Sequence, residues 1–251
     1  MYRKVLVLLA IIITVIYIGY SFHDHSKKVI IEQPSASFTP VTETPPQTAK
    51  ADDYDFTAFT AKHILDIDAL LQMPDYPTGC ELISLTMVLS YITGETVDTE
   101  ILIDDYLTLS VDDFTHDFMG DPRKEDGGGC FPPVIVRCAN KYLKDCHMSL
   151  SAKDATGITC QEIFDCIDDG LPVIMWTTMY MEEPQLQNHF MEYDNKTYQW
   201  YTSEHCVLIK GYRPKDHVFI INDPLIGEVE RDIDEFMKIS DSIGNLAVII
   251  H

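Results

Sequence analysis

Four apolar stretches organise the chain. The first runs from Val5 to Tyr20, VLVLLAIIITVIYIGY, is broken only by Thr14 and Gly19, and carries no charge. As a helix it would be about 24 Å long, slightly short of a hydrocarbon core of roughly 30 Å. Ser21, Phe22 and snorkelling from Arg3 and Lys4 make up the difference. The second stretch follows Cys80. Leu82, Leu85, Met87, Val88, Leu89 and Ile92 recur at three- and four-residue steps, which predicts a largely buried helix from Cys80 that stops at Gly94. The third and fourth, Cys206-Val207-Leu208-Ile209 and Val218-Phe219-Ile220-Ile221, flank a polar turn at Arg213-Pro214-Lys215-Asp216 and predict a β-hairpin. With the turn centred near Pro214, opposed residue numbers sum to about 428, so that His205 faces Asp223 across the ladder.

This patterning divides the chain into three regions. Residues 1–22 read as an uncleaved N-terminal membrane anchor, one transmembrane helix. A cleaved signal peptide is the rival, although Tyr17-Ile18-Gly19-Tyr20-Ser21-Phe22 offers no small-residue cleavage site. The basic residues ahead of the run place the N-terminus in the cytoplasm and the body outside the cell, membrane-tethered or, on the rival reading, secreted. Residues 23–58 contain Gln33-Pro34-Ser35-Ala36-Ser37 and Thr39-Pro40-Val41-Thr42-Glu43-Thr44-Pro45-Pro46, a Pro/Thr/Ser-rich linker with little apolar surface to offset ordering entropy. Residues 59–251 form the folded domain. No internal repeat is visible.

Charge follows the same division. The 251 residues hold 18 Lys+Arg and 40 Asp+Glu, a net charge of −22. Residues 1–50 carry five basic and three acidic groups, a net of +2, so the remainder carries −24. A sequence pI near 4.5 argues against nucleic acid, whose phosphates require clustered Lys and Arg. The acidic balance suggests a preference for basic peptides.

Seven cysteines sit at 80, 130, 138, 146, 160, 166 and 206. None forms a C-x-x-C pair and no His is spaced for a zinc finger, so no metal site is expected. Cys138 with Cys146 and Cys160 with Cys166 are local candidates for bridges, with buried free thiols as the alternative. Cys80 has the most informative setting. Pro74, Pro77 and Gly79 keep the chain before it non-helical, and the helix then starts at Cys80. Unpaired N–H groups and the dipole at a helix N-terminus favour a thiolate, which would lower the thiol pKa and activate it. A buried structural cysteine is the alternative. The hairpin register would set Asp223 beside His205, fixing its tautomer and orientation. Cys206, next to His205 on the strand, should point to the opposite face, into the core.

At these residues the sequence resembles the peptidases that process double-glycine leaders, specifically their stand-alone bacterial relatives in the papain-like cysteine peptidase superfamily. The resemblance runs from about Ile67 to Ile250. It rests on Gln72-Met73-Pro74 with Pro77-Thr78-Gly79-Cys80-Glu81, on Gly120-Asp121-Pro122 with Gly127-Gly128-Gly129-Cys130-Phe131-Pro132-Pro133, on Gly170-Leu171-Pro172-Val173-Ile174-Met175-Trp176, and on Glu204-His205 with Asn222-Asp223-Pro224. It implies an α+β, papain-like fold with the Cys80 helix packed on an antiparallel sheet. It also implies Cys80 as nucleophile, His205 as general base and acid, Asp223 as orienting carboxylate, and the Gln72 amide as oxyanion donor, with no cofactor. The substrate would be a peptide. A cell-wall amidase or endopeptidase acting on peptidoglycan is an alternative, as is a catalytically silent, surface-tethered binding module. The chain has no G-x-x-x-x-G-K-[ST] loop, so neither nucleotide binding nor coupling to export is implied.

Other features have plainer readings. Gly127-Gly128-Gly129-Cys130 is a loop able to line the cleft or simply to flex. Asp104-Asp105 and Asp112-Asp113 miss the calcium-loop template and read as solvated acidic surface. Trp176 is expected in the core. Trp200 and Tyr201, just before His205, either pack or contact substrate.

Overall fold

The computed structural model describes residues 63–251. The anchor predicted at 1–22, the linker at 23–58 and the first residues of the predicted domain lie outside the described residues. Among the described residues, no helix is long and apolar enough to cross a membrane.

In chain order the elements are β1 (His63–Ile64), α1 (Cys80–Thr93), α2 (Thr99–Ile101), β2 (Leu109–Ser110), β3 (Phe118–Met119), α3 (Pro132–Asp145), β4 (Ala152–Asp154), α4 (Cys160–Asp168), β5 (Val173–Thr178), β6 (Leu186–Tyr193), β7 (Lys196–Tyr201), β8 (Glu204–Arg213), β9 (Val218–Asp223), β10 (Gly227–Asp232), α5 (Ile233–Ser242) and β11 (Ala247–Ile250). Seven strands make an antiparallel sheet in the order β10-β9-β8-β5-β11-β4, with β1 added to the free part of β8. Strands β6 and β7 form a separate hairpin that leads into β8. This is the α+β class expected from the sequence.

The core explains why α1 has no polar face. Every residue from Cys80 to Leu89 is buried, because α1 lies between the sheet, chiefly β8, and α3. Its few hydroxyls find acceptors within this layer: Thr86 Oγ1 donates to Leu82 O at 2.8 Å, and Ser84 Oγ to Cys206 O at 3.4 Å. The helix ends where predicted, at Gly94 with φ 71°, whose N–H returns to Ser90 O. On the other side of the sheet, Phe219 of β9 packs against Phe164 of α4 and Phe236 of α5. Trp176 is fully buried, as expected, with its indole N–H on Cys130 O at 2.9 Å.

The β8–β9 hairpin exists, but its register differs from the expected one. The turn is a helical one at Pro214–Asp216, closed by His217 in the left-handed region, which moves the centre beyond Pro214. Next to it the pairs are Arg213–Val218, Tyr212–Phe219 and Gly211–Ile220, with numbers summing to 431. A bulge at Lys210 changes this to Ile209–Ile221 and Leu208–Asn222, summing to 430. Gly211 is needed beside the bulge, because a Cβ there would lie 2.6 Å from His63 O of β1. Lys210 is buried, its Nζ donating to Ile67 O at 2.9 Å and paired with Glu228 at 2.5 Å.

Neither candidate bridge forms; all seven cysteines are free thiols, the alternative reading. Cys138 lies within α3 and Cys146 just past its end, so the rise of the helix separates them by about 12 Å. Cys160 and Cys166 are both in α4, about 9 Å apart along the axis. Both separations exceed what a disulfide can span.

Candidate active site

Cys80 is the first residue of α1, after Gly79, where the leading N–H groups of a helix lack intrahelical partners. The same cleft, of about 430 Å³, is lined by Gln72, Cys80, Gly127, Trp200, Glu204 and His205, with Leu225 on its rim. The structure therefore brings the predicted nucleophile, imidazole and amide to one place, and Asp223 reaches it through His205. The Gly-rich loop lines the cleft too.

His205 is the second residue of β8 and is buried. Its Nε2 meets Asp223 Oδ1 at 2.8 Å. Continued by one pair, the β8–β9 register sets Asp223 across from Val207, so it is a diagonal neighbour of His205 and not the directly opposed residue expected. The same Oδ1 accepts the Leu225 N–H at 2.9 Å. Burial raises the Asp223 pKa, but the hydrogen bond and charge of His205, the Leu225 N–H and Arg231 outweigh it and hold the carboxyl below its usual range. With Nε2 committed to Asp223, Nδ1 is the ring nitrogen left for chemistry.

Gln72 is 3% exposed, and its main-chain N–H donates to Pro224 O at 2.8 Å, one residue past Asp223. Its Nε2 donates to Pro77 O at 2.8 Å, while Oε1 has no partner. One amide hydrogen thus fixes the side chain and the other is left for a ligand.

The thiol departs from the sequence expectation. Burial, then the carboxylates of Glu81 and Glu204, push the Cys80 pKa well above its ordinary value. A backbone hydrogen bond from Cys206 acts in the lowering direction, without prevailing. Cys206 is buried as expected, but its backbone adjoins the Cys80 sulfur, closer than the alternation argument implied. The thiol donates to Glu81 Oε2 at 3.3 Å and makes no hydrogen bond to His205.

Glu81 and Glu204 appear in the sequence motifs without a role, yet they form the floor beside Cys80. Glu81 is fully buried, and its Oε1 accepts the Cys130 N–H at 2.6 Å. Burial pushes its pKa up to about 7, although the Cys130 N–H and the Cys80 thiol act to lower it. Burial and the Glu81 charge push Glu204 well above the usual carboxylate range. One ligand atom each from Cys80, Glu81 and Glu204 lies within a 4.8 Å group, a spacing a divalent ion accepts, but both Glu81 oxygens already have donors. The signal in the sequence was a glutamate in the first turn of an otherwise apolar helix, which needs a buried partner.

Around this centre, Trp200 stacks on Phe131 with centroids 5.3 Å apart, and both Trp200 and the buried Tyr201, whose hydroxyl donates to Thr177 O at 2.9 Å, line the cleft. The acidic pairs lie elsewhere: Asp104 pairs with Arg123 at 2.9 Å, and Asp113 caps the Thr115 and His116 amides.

Comparison with known proteins gives the family. Residues 64–246 match the family described as Peptidase_C39 like family. The uncharacterized protein YvpB of Bacillus subtilis (strain 168) is 29% identical over 197 residues, covering 74% of this chain and 75% of YvpB. The crystal structure of a Bacillus anthracis protein described as C39-like superposes with a TM-score of 0.64 and 26% identity, over 76% of this chain and 98% of that one. A double-glycine motif protease from an AMS/PCAT transporter, solved with its leader peptide, reaches only 0.39 and 16% identity over 76% of this chain and 96% of that one, too distant to carry an argument.

Proposed function

The chain belongs to the Peptidase_C39 like family, and on that footing we propose that it is a cysteine peptidase, hydrolysing peptide or amide bonds through Cys80, His205 and Asp223. The supporting observation is the shared cleft of Cys80 and His205, with the imidazole held through Nε2 by a buried carboxylate at 2.8 Å. In this reading Nδ1 of His205 takes the Cys80 proton and the sulfur attacks the substrate carbonyl. The oxyanion is stabilised by the Cys80 backbone N–H and the free hydrogen of the Gln72 amide. His205 then protonates the leaving amine, and water activated by the same ring releases the acyl group from Cys80.

The proposal places the domain outside the cell, tethered by residues 1–22, and its acidic surface would favour basic peptides. A second reading, a silent binding module, draws support from the raised thiol pKa and the Cys80–Glu81 hydrogen bond. The deciding experiment measures hydrolysis of a peptide library and of peptidoglycan by the wild type and Cys80→Ala, with labelling of Cys80 by a thiol-directed electrophile. Hydrolysis that depends on Cys80 supports the peptidase, and the substrate cleaved separates peptide from cell-wall chemistry. Turnover that survives Cys80→Ala, or none on any substrate together with Cys80 labelling no faster than a free thiol, overturns it.

A further inference from the structure

Two acids and a thiol are crowded together at the cleft, where Cys80 and Glu204 line the wall and Glu81 is fully buried behind them. Glu81 comes from the first turn of α1, Glu204 from the start of β8, and Gly129 is pressed between them: a Cβ on Gly129 would lie 2.8 Å from Glu81 Oε1 and 2.9 Å from Glu204 Oε2. Glu204 Oε1 is buried without a hydrogen-bond partner. The titratable groups facing the pair are Cys80 from α1, Cys130 from the glycine loop, Tyr201 from β7 and Cys206 from β8, none of them cationic. His205, next in sequence to Glu204, is committed to Asp223. Two carboxylates this close, Glu81 fully buried and Glu204 partly so, with none of the facing groups cationic, cannot both ionise at moderate cost.

We propose that Glu81 and Glu204 hold one proton between them, and that the charge on this pair decides whether Cys80 rests as a thiol or acts as a thiolate. Glu204 carries the proton in the resting state. Glu81, anionic, accepts the Cys130 N–H and the Cys80 S–H, the arrangement seen at 2.6 and 3.3 Å. A thiol hydrogen-bonded to a carboxylate stays protonated, because ionising it would set two anions side by side. When the pair takes up a second proton from the cleft, Glu81 becomes a neutral donor to sulfur. The Cys80 S–H bond then breaks heterolytically, the electron pair staying on sulfur and the proton passing to Nδ1 of His205. Proton count balances: one enters at the pair and one moves within the site. Glu81 and Glu204 are positioning residues, acting through Cys80. The inference rests on the reading of Cys80 as nucleophile, and gives that nucleophile an acid-side switch instead of the usual alkaline activation.

The test uses the full chain. Alkylation of Cys80 by iodoacetamide, read by mass spectrometry of its peptide, should in wild type decline from pH 6 to pH 8 before ordinary thiol ionisation sets in. Glu81→Gln, a neutral isostere, should abolish the decline and react about tenfold faster at pH 8, as expected for removing one adjacent like charge. Superimposable profiles for the two proteins overturn the proposal. Infrared spectroscopy supplies a reading independent of sulfur and of Glu81→Gln folding. A protonated carboxyl C=O band should persist in wild type at pH 8 and disappear in Glu204→Gln, and a band absent from wild type or unchanged in the variant overturns the proposal. Both measurements stand apart from turnover. Loss of the peptidase reading through Cys80→Ala would leave them intact, and their failure would leave Cys80-dependent hydrolysis intact.

Discussion

His205 and Asp223 meet across the β8–β9 ladder as a diagonal pair, and the bulge at Lys210 is what puts them on one face. The register beside the turn, carried on unchanged, would set Asp223 across from Leu208, on the other face from His205. The extra residue restores the parity, so the 2.8 Å contact depends on an irregularity five residues away from the imidazole.

Asp223→Asn tests this contact. It keeps the shape but removes the charge that stabilises an imidazolium and selects the tautomer. Turnover should fall by about 10²-fold or more, with little change in KM. Steady-state kinetics on a cleaved peptide give the answer, and unchanged kcat would remove Asp223 from the site.

Under the proposed mechanism, Gln72→Ala removes one of two oxyanion donors. A loss in kcat of about 10²–10³ is expected, not abolition. Because Nε2 also holds Pro77 O, thermal melting must accompany kinetics, and a loss confined to stability would show a packing role only.

Gly129→Ala should lower stability by about 1–3 kcal/mol or more. The backbone there has φ +153°, and the added methyl meets both glutamates. Chemical denaturation measures it; a shift below about 0.5 kcal/mol would show that the loop yields easily.

Stability should peak at mildly acidic pH. Glu81 has a folded pKa raised to about 7, above its unfolded value, so its favourable contribution is present at low pH and is lost as pH rises through about 7. Asp113, Asp121, Asp154, Glu162 and Asp223 are depressed on folding, so theirs is lost as pH falls through their lowered values. The melting temperature should decline from pH 5 to pH 8, and the decline should flatten in Glu81→Gln.

Thiol titration should count seven groups in denaturant, with or without prior reduction. In the native protein the exposed Cys146 should react first. Fewer than seven without reductant would mean that a bridge forms after all.

The sequence was most legible where one physical cause dominates. Apolar spacing located α1 to the residue, with Gly79 before it and Gly94 after it, because a buried helix admits little else. Turn chemistry located the β8–β9 hairpin but not its register, since the bulge at Lys210 lies beside the β1 pairing and the left-handed His217 closes the turn while its carbonyl accepts the Ile233 N–H of α5. The thiol environment was misjudged for a related reason. A helix N-terminus favours an anion locally, but burial and two carboxylates, one from 124 residues further along, reverse the balance. Local patterns report local energies, and Cys80 is governed by partners that only the fold assembles.

The strap between β1 and Gln72 has a mechanical consequence. Its chain enters at β1, on Gly211 and Tyr212, the end of β8 remote from His205 by roughly 20 Å. From there it is riveted three times: Leu65 N–H to Lys210 O, then Ile67 O to both Lys210 Nζ and Asn222 Nδ2. Only afterwards does it reach Gln72. A pull on the chain ahead of residue 63 is therefore spent on unzipping β1 and loading the Ile67 rivets before any displacement arrives at the amide beside Cys80. The strap works as a strain relief, so force entering through β1 is absorbed before the cleft loses alignment.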